Sequence, residues 1–593
     1  MAEPIQVDFS DKGDGRGRRK EPEKKKAAVF PPERAGLRIA LSLVGMVLTA
    51  LIGWYVMLPP LNFRAQELYY YIALVIGSFI VLIFLLSNAG ARPEYVPWVR
   101  KVIRVPLGLL LAVALFFGAM WAFSSPLFHA RRYSELMPVN QEADFAKDIN
   151  EPNFSEIPKL DKDSAKVVAG RTLGDLSDLK SQFIISESNT QINYQQKPVR
   201  VVALSYADIV RWFTNTGKGL PGYVVVDMAN EQSKFVRVED RIRYTDAEHF
   251  QKLLKRHLRF RYPTRMFDIP TFEIDDNGRP FWIAPVLQKT IGLLGGADVA
   301  GIVMVDAVNG ECKEYSIKQV REDKSMQWID RVYSAELLTA QYNYYGKYNS
   351  GFWNSLLGKK NVSMVTAGYN YLAQNDDVYL YTGVTSADDN TSIYGFIMVN
   401  QRTKEANYYK VPGAIEAAAQ EAAQGLVSAY RWMATFPLLI NVSGEPTYFL
   451  SLKDDSGVVQ GYAMVNVRQS NKTKVWGKTL AECSSLYLTA LDEEGVLTQK
   501  PAAPDKTEEP EPGETDADGL RSVTGTIAAI RSAVVNGNTT YYIRLEGGQF
   551  YYSITAAQAA AAVLLDTGDV VTITFDPAPD GAAIAKARSV VAE

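Results

Sequence analysis

Few residues of this chain have the type and spacing that chemistry requires. Two of its three histidines, His249 and His257, lie on one predicted helix but more than two turns apart, too far to share a metal ion. Ser177 and Lys180 have the S-x-x-K spacing that lets a lysine activate a serine, but the companion motifs of such enzymes are absent. Gly477-Lys478-Thr479 ends like a phosphate loop but lacks the earlier glycine, which favours a turn into a helix cap.

Three acidic turns are the remaining candidates for a ligand site. They lie at residues 275–278, 388–390 and 454–457. Oxygen-rich turns can bind Ca²⁺, but none of these has the spaced ligands of a calcium loop, so we interpret them as hairpin turns. The sequence therefore predicts no catalytic residue, no metal site and no cofactor.

Composition bounds the class of protein. The 593 residues are too many for one compact core, which predicts several domains. The 63 basic and 66 acidic residues nearly balance, so no nucleic-acid partner is expected. Cys312 and Cys483 could pair once, but two cysteines cannot form a disulfide framework, and two separate buried thiols are the simpler interpretation.

The first part of the chain predicts a membrane anchor. Residues 1–35 are polar and basic, typical of a disordered cytoplasmic tail. Residues 36–123 contain three apolar stretches of about 20 residues, each long enough to cross a bilayer as a helix: 39–58, 68–86 and 105–123. Lys and Arg are concentrated in the tail and in the second loop, so both should be cytoplasmic and everything after Phe123 outside. No acidic or basic residue lies within these stretches, which disfavours a channel or transporter.

One short apolar pattern occurs four times after the spans. It is a Gly, four mostly apolar residues and a closing Asp or Asn, at residues 222–227, 301–306, 395–400 and 461–466. Such a pattern predicts a buried strand that runs into a turn, and we call these segments the Gly-led strands. Strands are also predicted upstream (199–204, 271–274, 378–381, 447–452) and downstream (235–238, 314–317, 407–411, 474–476).

A helix is predicted after each of these groups of strands. Two helices should cover residues 246–258, capped by Thr245, and 414–432. Ser334 and Thr479 should cap the other two, with Glu482 completing a capping box. We therefore expect a stalk at 124–195, α+β units 1 and 2 at 196–330, and units 3 and 4 at 331–498.

The order of strand, polar turn, Gly-led strand, polar turn and strand resembles PepSY-type units. These are small extracytoplasmic modules of bacterial envelope proteins. Residues 434–454 also resemble uncharacterised multi-span proteins of Gram-positive bacteria. The resemblance covers roughly residues 196–495 and implies a non-catalytic binding or regulatory module, with no family active site to carry over.

The C-terminal part predicts a small separate domain. Residues 499–519 are acidic and Pro-rich, as flexible linkers are. Within 520–593, strands are predicted at 523–530, 540–545, 549–554 and 570–575, with a helix at 556–565, which resembles a small OB-like barrel. Tyr541, Phe550 and Tyr551 could offer a stacking surface to sugars or bases, although alternation turns half of the aromatic residues there toward the core.

Together these patterns predict a membrane-anchored α+β protein. It has three N-terminal transmembrane helices, a repeated antiparallel-sheet-plus-helix ectodomain and a C-terminal OB-like β-barrel. The hypothesis is a non-enzymatic binding, regulatory or scaffold protein of a bacterial cell envelope, in contact with the lipid bilayer and with an envelope protein or wall polymer. A part of a secretion or conjugation apparatus and an envelope hydrolase are the alternatives, and homo-oligomerisation is open.

Overall fold

The computed structural model describes residues 30–496 and 520–592, with short gaps. The gaps lie at 153, 155–156, 375, 388–390, 536–537, 547, 549–550, 560–561, 563–564 and 577–583. Residues 1–29 of the basic tail, the acidic linker, the turn at 388–390 and Phe550 lie outside the described residues.

Three apolar helices lie where spans are predicted, and each is long and apolar enough to cross a bilayer. They are α1 (Ala35–Met57), α2 (Gln66–Leu86) and α3 (Val96–Phe123). The Tyr71 hydroxyl donates to the Ala50 carbonyl at 2.6 Å, which fixes α2 against α1. Helix α3 begins at Val96, earlier than predicted, and its first turns include Arg100, Lys101 and Arg104 of the predicted second loop.

The segment predicted to be a stalk is instead part of the folded body. It contains α4 (Pro126–Ser134), β1 (Val139–Ala143), α5 (Phe145–Asp148), α6 (Lys162–Gly174), α7 (Ser177–Lys180) and β2 (Phe183–Tyr194). Its scattered apolar residues, among them Met137, Phe145 and Leu173, are buried in three different hydrophobic cores. Burial of these apolar side chains stabilises the segment against the rest of the folded body, so it is not a flexible stalk.

Four antiparallel sheets follow, here numbered I to IV in chain order. Sheet I has the order β2, β3 (Lys197–Tyr206), β4 (Leu220–Asp227) and β5 (Gln232–Ile242), with α8 (Ile209–Asn215) between β3 and β4. Sheet II follows α9 (Leu254–Arg261) and is formed by β6 (Met266–Phe267), β7 (Thr271–Ile274), β8 (Pro280–Ile291), β9 (Gly295–Asp306) and β10 (Cys312–Ser316), after which comes α10 (Ile317–Glu322).

Sheets III and IV share the same order of strands, apart from the additional strand β1 in sheet III. Sheet III follows α11 (Ala335–Tyr348) and contains β11 (Ser363–Val365), β12 (Asn370–Gln374), β13 (Asp377–Ser386), β15 (Gly395–Asn400) and β16 (Ala406–Tyr409), with β1 parallel to β16. The short strands β14 (Ser392–Ile393) and β17 (Gly413–Ala414) pair with each other. Sheet IV lies between α12 (Glu416–Leu426) and α13 (Leu480–Glu493) and contains β18 (Met433–Ala434), β19 (Leu438–Val442), β20 (Glu445–Lys453), β21 (Val459–Asn466) and β22 (Lys474–Gly477).

Two predicted helices are shorter than the sequence suggested. The helix predicted at 246–258 begins only at Leu254. Phe250 has a positive φ and Glu248 is buried, so the chain before α9 is not helical as predicted. The helix predicted at 414–432 is α12, which ends at Leu426 before a 3₁₀ turn. Ser334 and Thr479 cap α11 and α13 as expected, but Glu482 accepts from the Lys478 amide and so does not close a capping box.

Three hydrophobic cores hold the sheets together, one between each consecutive pair. Alternation along the strands explains how one sheet serves two cores. In sheet II, Trp282 faces the core shared with sheet I and Ile283 the core shared with sheet III. In sheet III, Leu380 faces sheet II and Tyr381 faces sheet IV.

Every Gly-led strand is a strand in the structure, and each lies between two antiparallel neighbours. In sheet II the upstream neighbour is β8, which the sequence missed, while the strand predicted at 271–274 is β7 and pairs with β8. A Cβ on the leading glycine would collide with a carbonyl oxygen of the downstream strand in all four sheets. Glycine is therefore needed here for close approach of two backbones. The leading residues are Gly222, Gly301, Gly395 and Gly461.

The closing Asp or Asn makes the same turn in all four sheets. Its Oδ1 accepts hydrogen bonds from the backbone amides two and three positions later, at 2.8–3.1 Å. Such a bond mimics a backbone turn and ends the strand. The four residues are Asp227, Asp306, Asn400 and Asn466.

A charged residue occupies one equivalent position beside each of these turns. It lies two positions before the residue that pairs with the closing Asp or Asn. The position holds Lys197 in sheet I, Arg279 in sheet II, Asp377 in sheet III and Glu445 in sheet IV. The residue at this position is basic in the two sheets whose Gly-led strand ends in Asp. It is acidic in the two sheets whose Gly-led strand ends in Asn.

The C-terminal part forms a closed five-stranded barrel. Its strands are β23 (Arg521–Val535), β24 (Asn538–Leu545), β25 (Tyr551–Thr555), β26 (Val570–Phe575) and β27 (Ile584–Ala592). The order is β23-β24-β25-β27-β26, with β25 parallel to β27. The sequence missed β27. Residues 556–558, the start of a predicted helix, form a turn, and part of that predicted helix lies outside the described residues.

Candidate functional site

The main candidate site is a cavity close to the place where strands of different sheets meet. Strand β2 contacts β7 and β12, and β12 contacts β19. The cavity has a volume of about 350 Å³, and its walls come from sheets I, III and IV. We call it the central cavity. It is lined by Pro158, Lys159, Leu160, Asp161, Lys162, Asp163, Asn189, Gln191, Arg200, Met228, Arg331, Tyr369, Asn370, Tyr371, Thr435, Phe436, Leu438, Phe449 and Ser451.

Arg200 is the most deeply buried cation of the central cavity. It lies in β3, and only 6% of the residue is exposed. Its guanidinium donates to Asn189 Oδ1 at 2.8 Å and to Gln191 Oε1 at 3.2 Å, while its Nε is buried without a partner. Neutral amides thus hold the group in place without cancelling its charge.

Arg331 is the second cation, and it lies on an aromatic ring. Its guanidinium carbon is 4.0 Å from the centre of the Tyr371 ring, and its Nη2 donates to a Tyr371 hydroxyl at 2.7 Å. Its Nε is also buried without a partner. Tyr371 lies in β12, so the ring fixes the orientation of Arg331 relative to sheet III.

Neither guanidinium of the central cavity has a direct ion-pair partner among the described residues. The nearby Asp161 is already held by Lys453 at 2.6 Å. Burial, followed by the like charge of Arg331, lowers the pKa of Arg200 to about 10. A buried charge normally has a partner, so this arrangement provides a place for an anion.

Two buried carboxyls lie behind Arg331. Asp330 accepts from the Asn193 amide at 2.7 Å, and its own amide donates to Glu273 Oε2 at 2.9 Å. Burial raises the pKa of both carboxyls, and for Asp330 the neighbouring Glu273 raises it further. Both carboxyls are thus harder to ionise than exposed ones, which weakens their competition for the charge of Arg331.

The polar groups of the central cavity have the chemistry that a small anion requires. A guanidinium offers several N–H donors in one plane, which suits the oxygens of carboxylate and phosphate. Around the two cations lie hydroxyl and amide groups and aromatic rings, the mixture that small-molecule sites usually show. Four basic and two acidic side chains line the cavity, so its charge is positive.

The residues that the sequence singled out do not come together. Ser177 and Lys180 lie on an exposed single turn, α7. His249 precedes α9, and His257 lies within it, where its Nε2 is 2.8 Å from the Gly310 carbonyl. Within the described part of the chain, no group of three His, Cys, Asp or Glu could hold a metal ion.

The described acidic turns are closed by their own first carboxylate. Asp275 Oδ1 accepts from the amides of Asn277 and Arg279, at 3.0 Å and 2.8 Å. Asp454 Oδ1 accepts in the same way from Ser456 and Val458. These oxygens are used within the turns, in agreement with the hairpin interpretation.

The two cysteines are separate thiols, as the simpler interpretation held. Burial raises the pKa of Cys312 to about 11 and that of Cys483 to about 12. A raised pKa leaves little thiolate at neutral pH, so neither thiol has the character of a nucleophile.

The predicted aromatic surface of the barrel is only partly visible. Tyr541 is half-buried against the barrel core. Tyr551 is also half-buried, and the guanidiniums of Arg531 and Arg544 lie 5.6 Å and 5.5 Å from its ring centre. Phe550 lies outside the described residues. The stacking surface therefore stays a prediction, with both described tyrosines partly covered by the protein.

The sequence analysis missed both arginines of the central cavity. One signal was available: Arg200 interrupts the apolar run at 199–204, which was itself predicted as a buried strand. A charge inside such a strand requires a partner or a function. Arg331 lies among apolar and acidic neighbours, and the sequence carries no comparable signal for it.

Comparison with known proteins does not add a family to this geometry. No protein-family model matches the chain, and no curated protein or solved structure gives a significant match.

Proposed function

We propose that this chain is a membrane-anchored, non-enzymatic binding protein whose folded part captures a small anion in the central cavity. The observation that carries the proposal is the pair of guanidiniums, Arg200 and Arg331, with no ion-pair partner among the described residues. The ligand would carry a carboxylate or a phosphate group, which replaces the missing partner. Occupancy of the cavity would then fix sheets I, III and IV relative to one another, as a regulatory module requires.

The four sheets are, in this proposal, copies of one unit. Three independent features support this kinship: the leading glycine, the closing Asp or Asn turn and the charged position beside that turn. The charged position is basic in sheets I and II and acidic in sheets III and IV, which suggests that the four sheets form two related pairs. A helix precedes each antiparallel sheet, which is compatible with the PepSY-like character that the sequence suggested. The strand order of the barrel and its parallel pair similarly support an OB-like domain.

The folded part would face the outside of a bacterial cell membrane. Three spans place the first interspan loop on the same side as everything after Phe123. Contacts support this arrangement: the Leu61 amide donates to the Pro263 carbonyl at 2.8 Å, and Arg64 donates to the Lys289 carbonyl at 2.7 Å. The basic tail and second loop would then be cytoplasmic.

Thermal unfolding of the full-length protein in detergent tests the proposal. Phosphate, sulfate, citrate and glucuronate are compared with chloride at matched ionic strength. At least one of these anions should raise the melting temperature of the wild type and leave the double variant Arg200→Met/Arg331→Met unchanged. Equal shifts in both proteins, or no shift with any anion, would contradict the proposal.

A further inference from the structure

We infer that a second surface of the folded part contacts lipid directly: residues 351–360, here called the aromatic loop, insert into the interface of the membrane that the spans cross. The loop carries large apolar side chains that the protein itself does not cover. Trp353 is 64% exposed, Leu356 56% and Leu357 76%. Aromatic and aliphatic residues exposed side by side are costly in water but stable at the boundary of headgroups and acyl chains.

The aromatic loop is connected to the end of the third span by a row of packed rings. The Tyr133 hydroxyl donates to the carbonyl of Ser124, the residue that follows α3, at 2.6 Å. From Tyr133 the row continues through Tyr344, Tyr348 and Phe352 to Trp353, with ring centres 4.7, 6.2, 6.2 and 5.5 Å apart. This continuity argues for the bilayer as the occupant rather than a protein partner elsewhere.

Two further apolar residues are exposed where α4 leaves the third span. Leu127 is 45% exposed and Phe128 59%, and the Phe128 ring stacks on Phe123 at the end of α3. Helix α4 packs against α11, the helix that leads into the aromatic loop. The exposed side chains of α4 and of the loop therefore belong to one contiguous part of the fold.

The aromatic loop is also preorganised and flanked by positive charge. Asn354 Nδ2 donates to the Lys360 carbonyl at 2.8 Å, and the Ser355 hydroxyl donates to the Phe352 carbonyl at 2.6 Å. These bonds hold the apolar side chains outward without a cost of ordering on insertion. Lys359 and Lys360 are exposed directly after them, where ammonium groups can meet anionic lipid headgroups.

Photocrosslinking tests this inference in the full-length protein. The crosslinker p-benzoylphenylalanine replaces Leu357 in one variant, Tyr430 in a second and Leu111 in a third, and each protein is placed in nanodiscs of phosphatidylcholine and phosphatidylglycerol. Tyr430 is 52% exposed on a different part of the fold, and Leu111 lies within α3. Mass spectrometry should find lipid adducts at positions 357 and 111 and none at 430.

The result that would overturn the inference is lipid adducts at position 111 without adducts at 357, or equal yields at 357 and 430. Position 356 serves as a second site in case the first variant does not fold. Adducts from position 357 to another protein chain would also overturn it, because they would identify a protein as the occupant. This outcome is independent of anion binding in the central cavity.

Discussion

The guanidinium of Arg331 lies over the ring of Tyr371, with 4.0 Å between its carbon and the ring centre. This contact joins the segment before α11 to β12, and it holds one of the two cations of the central cavity in a fixed orientation. A charge that is positioned by a ring keeps its N–H donors available. The same is true of Arg200, whose partners are neutral amides.

Arg200→Met should separate ligand binding from stability. The substitution removes a buried charge that has no direct ion pair, and this removal favours the folded state, but it leaves Asn189 and Gln191 without their donor. These effects oppose each other, so the free energy of unfolding should change by no more than about 2 kcal/mol. Stabilisation by anions should be lost. Chemical denaturation with and without anion measures both, and Arg237→Met on exposed β5 is the control that should keep the anion effect.

Breaking the ion pair of sheet III should cost more than breaking its equivalent in sheet IV. Arg402 and Asp377 side chains are each 9% exposed, and two bonds of 2.7 Å and 2.8 Å join them. Arg402→Met leaves a buried carboxylate and should cost about 3 kcal/mol of the free energy of unfolding. In sheet IV, Arg468 is 43% exposed, so Arg468→Met should cost about 1 kcal/mol. Equal costs in urea denaturation would show that burial does not set the difference.

Gly395→Ala tests the close approach of strands. Its Cβ would collide with the Tyr409 carbonyl oxygen, so the expected loss of stability is about 2 kcal/mol or more. Gly425 lies in α12 with open space around it, and Gly425→Ala should instead stabilise the protein by up to about 1 kcal/mol. Melting temperatures of the two variants should therefore move in opposite directions. A harmless Gly395→Ala would remove the packing argument for all four leading glycines.

The buried carboxyls Glu273 and Asp330 should make the fold less stable as pH rises. Burial raises both pKa values, so the folded state retains protons that the unfolded chain releases above about pH 4. The contribution of these two carboxyls to the free energy of unfolding is fully present below that pH. Above it, this contribution falls by up to about 1.4 kcal/mol per pH unit for each proton that the folded state retains. Asp330→Asn has no carboxyl proton to release and should flatten the decline above about pH 4. Unfolding curves at several pH values measure the slope, and an unchanged slope in the variant would show that Asp330 is ionised in the fold.

Local patterns explain which parts of the structure could be predicted. Asp227 and its counterparts act on amides two and three positions later, and each leading glycine begins a short apolar run, so the Gly-led strands are visible in the sequence. The predicted stalk was wrong because Met137 and Phe145 find their cores only through contacts that are distant in the chain. The path before α9 depends on Glu248, which accepts from Tyr206 and Trp212 at 2.5 Å and 2.8 Å. The central cavity depends on three sheets together, and for that reason its composition could not be inferred.

Titration calorimetry of the full-length protein tests the central claim most directly. The titrant is the anion that stabilises the wild type best, and the matched control is the variant Arg200→Met/Arg331→Met. We predict one binding site per chain in the wild type and no measurable heat of binding in the variant. The same affinity in both proteins would contradict the claim that Arg200 and Arg331 form the site.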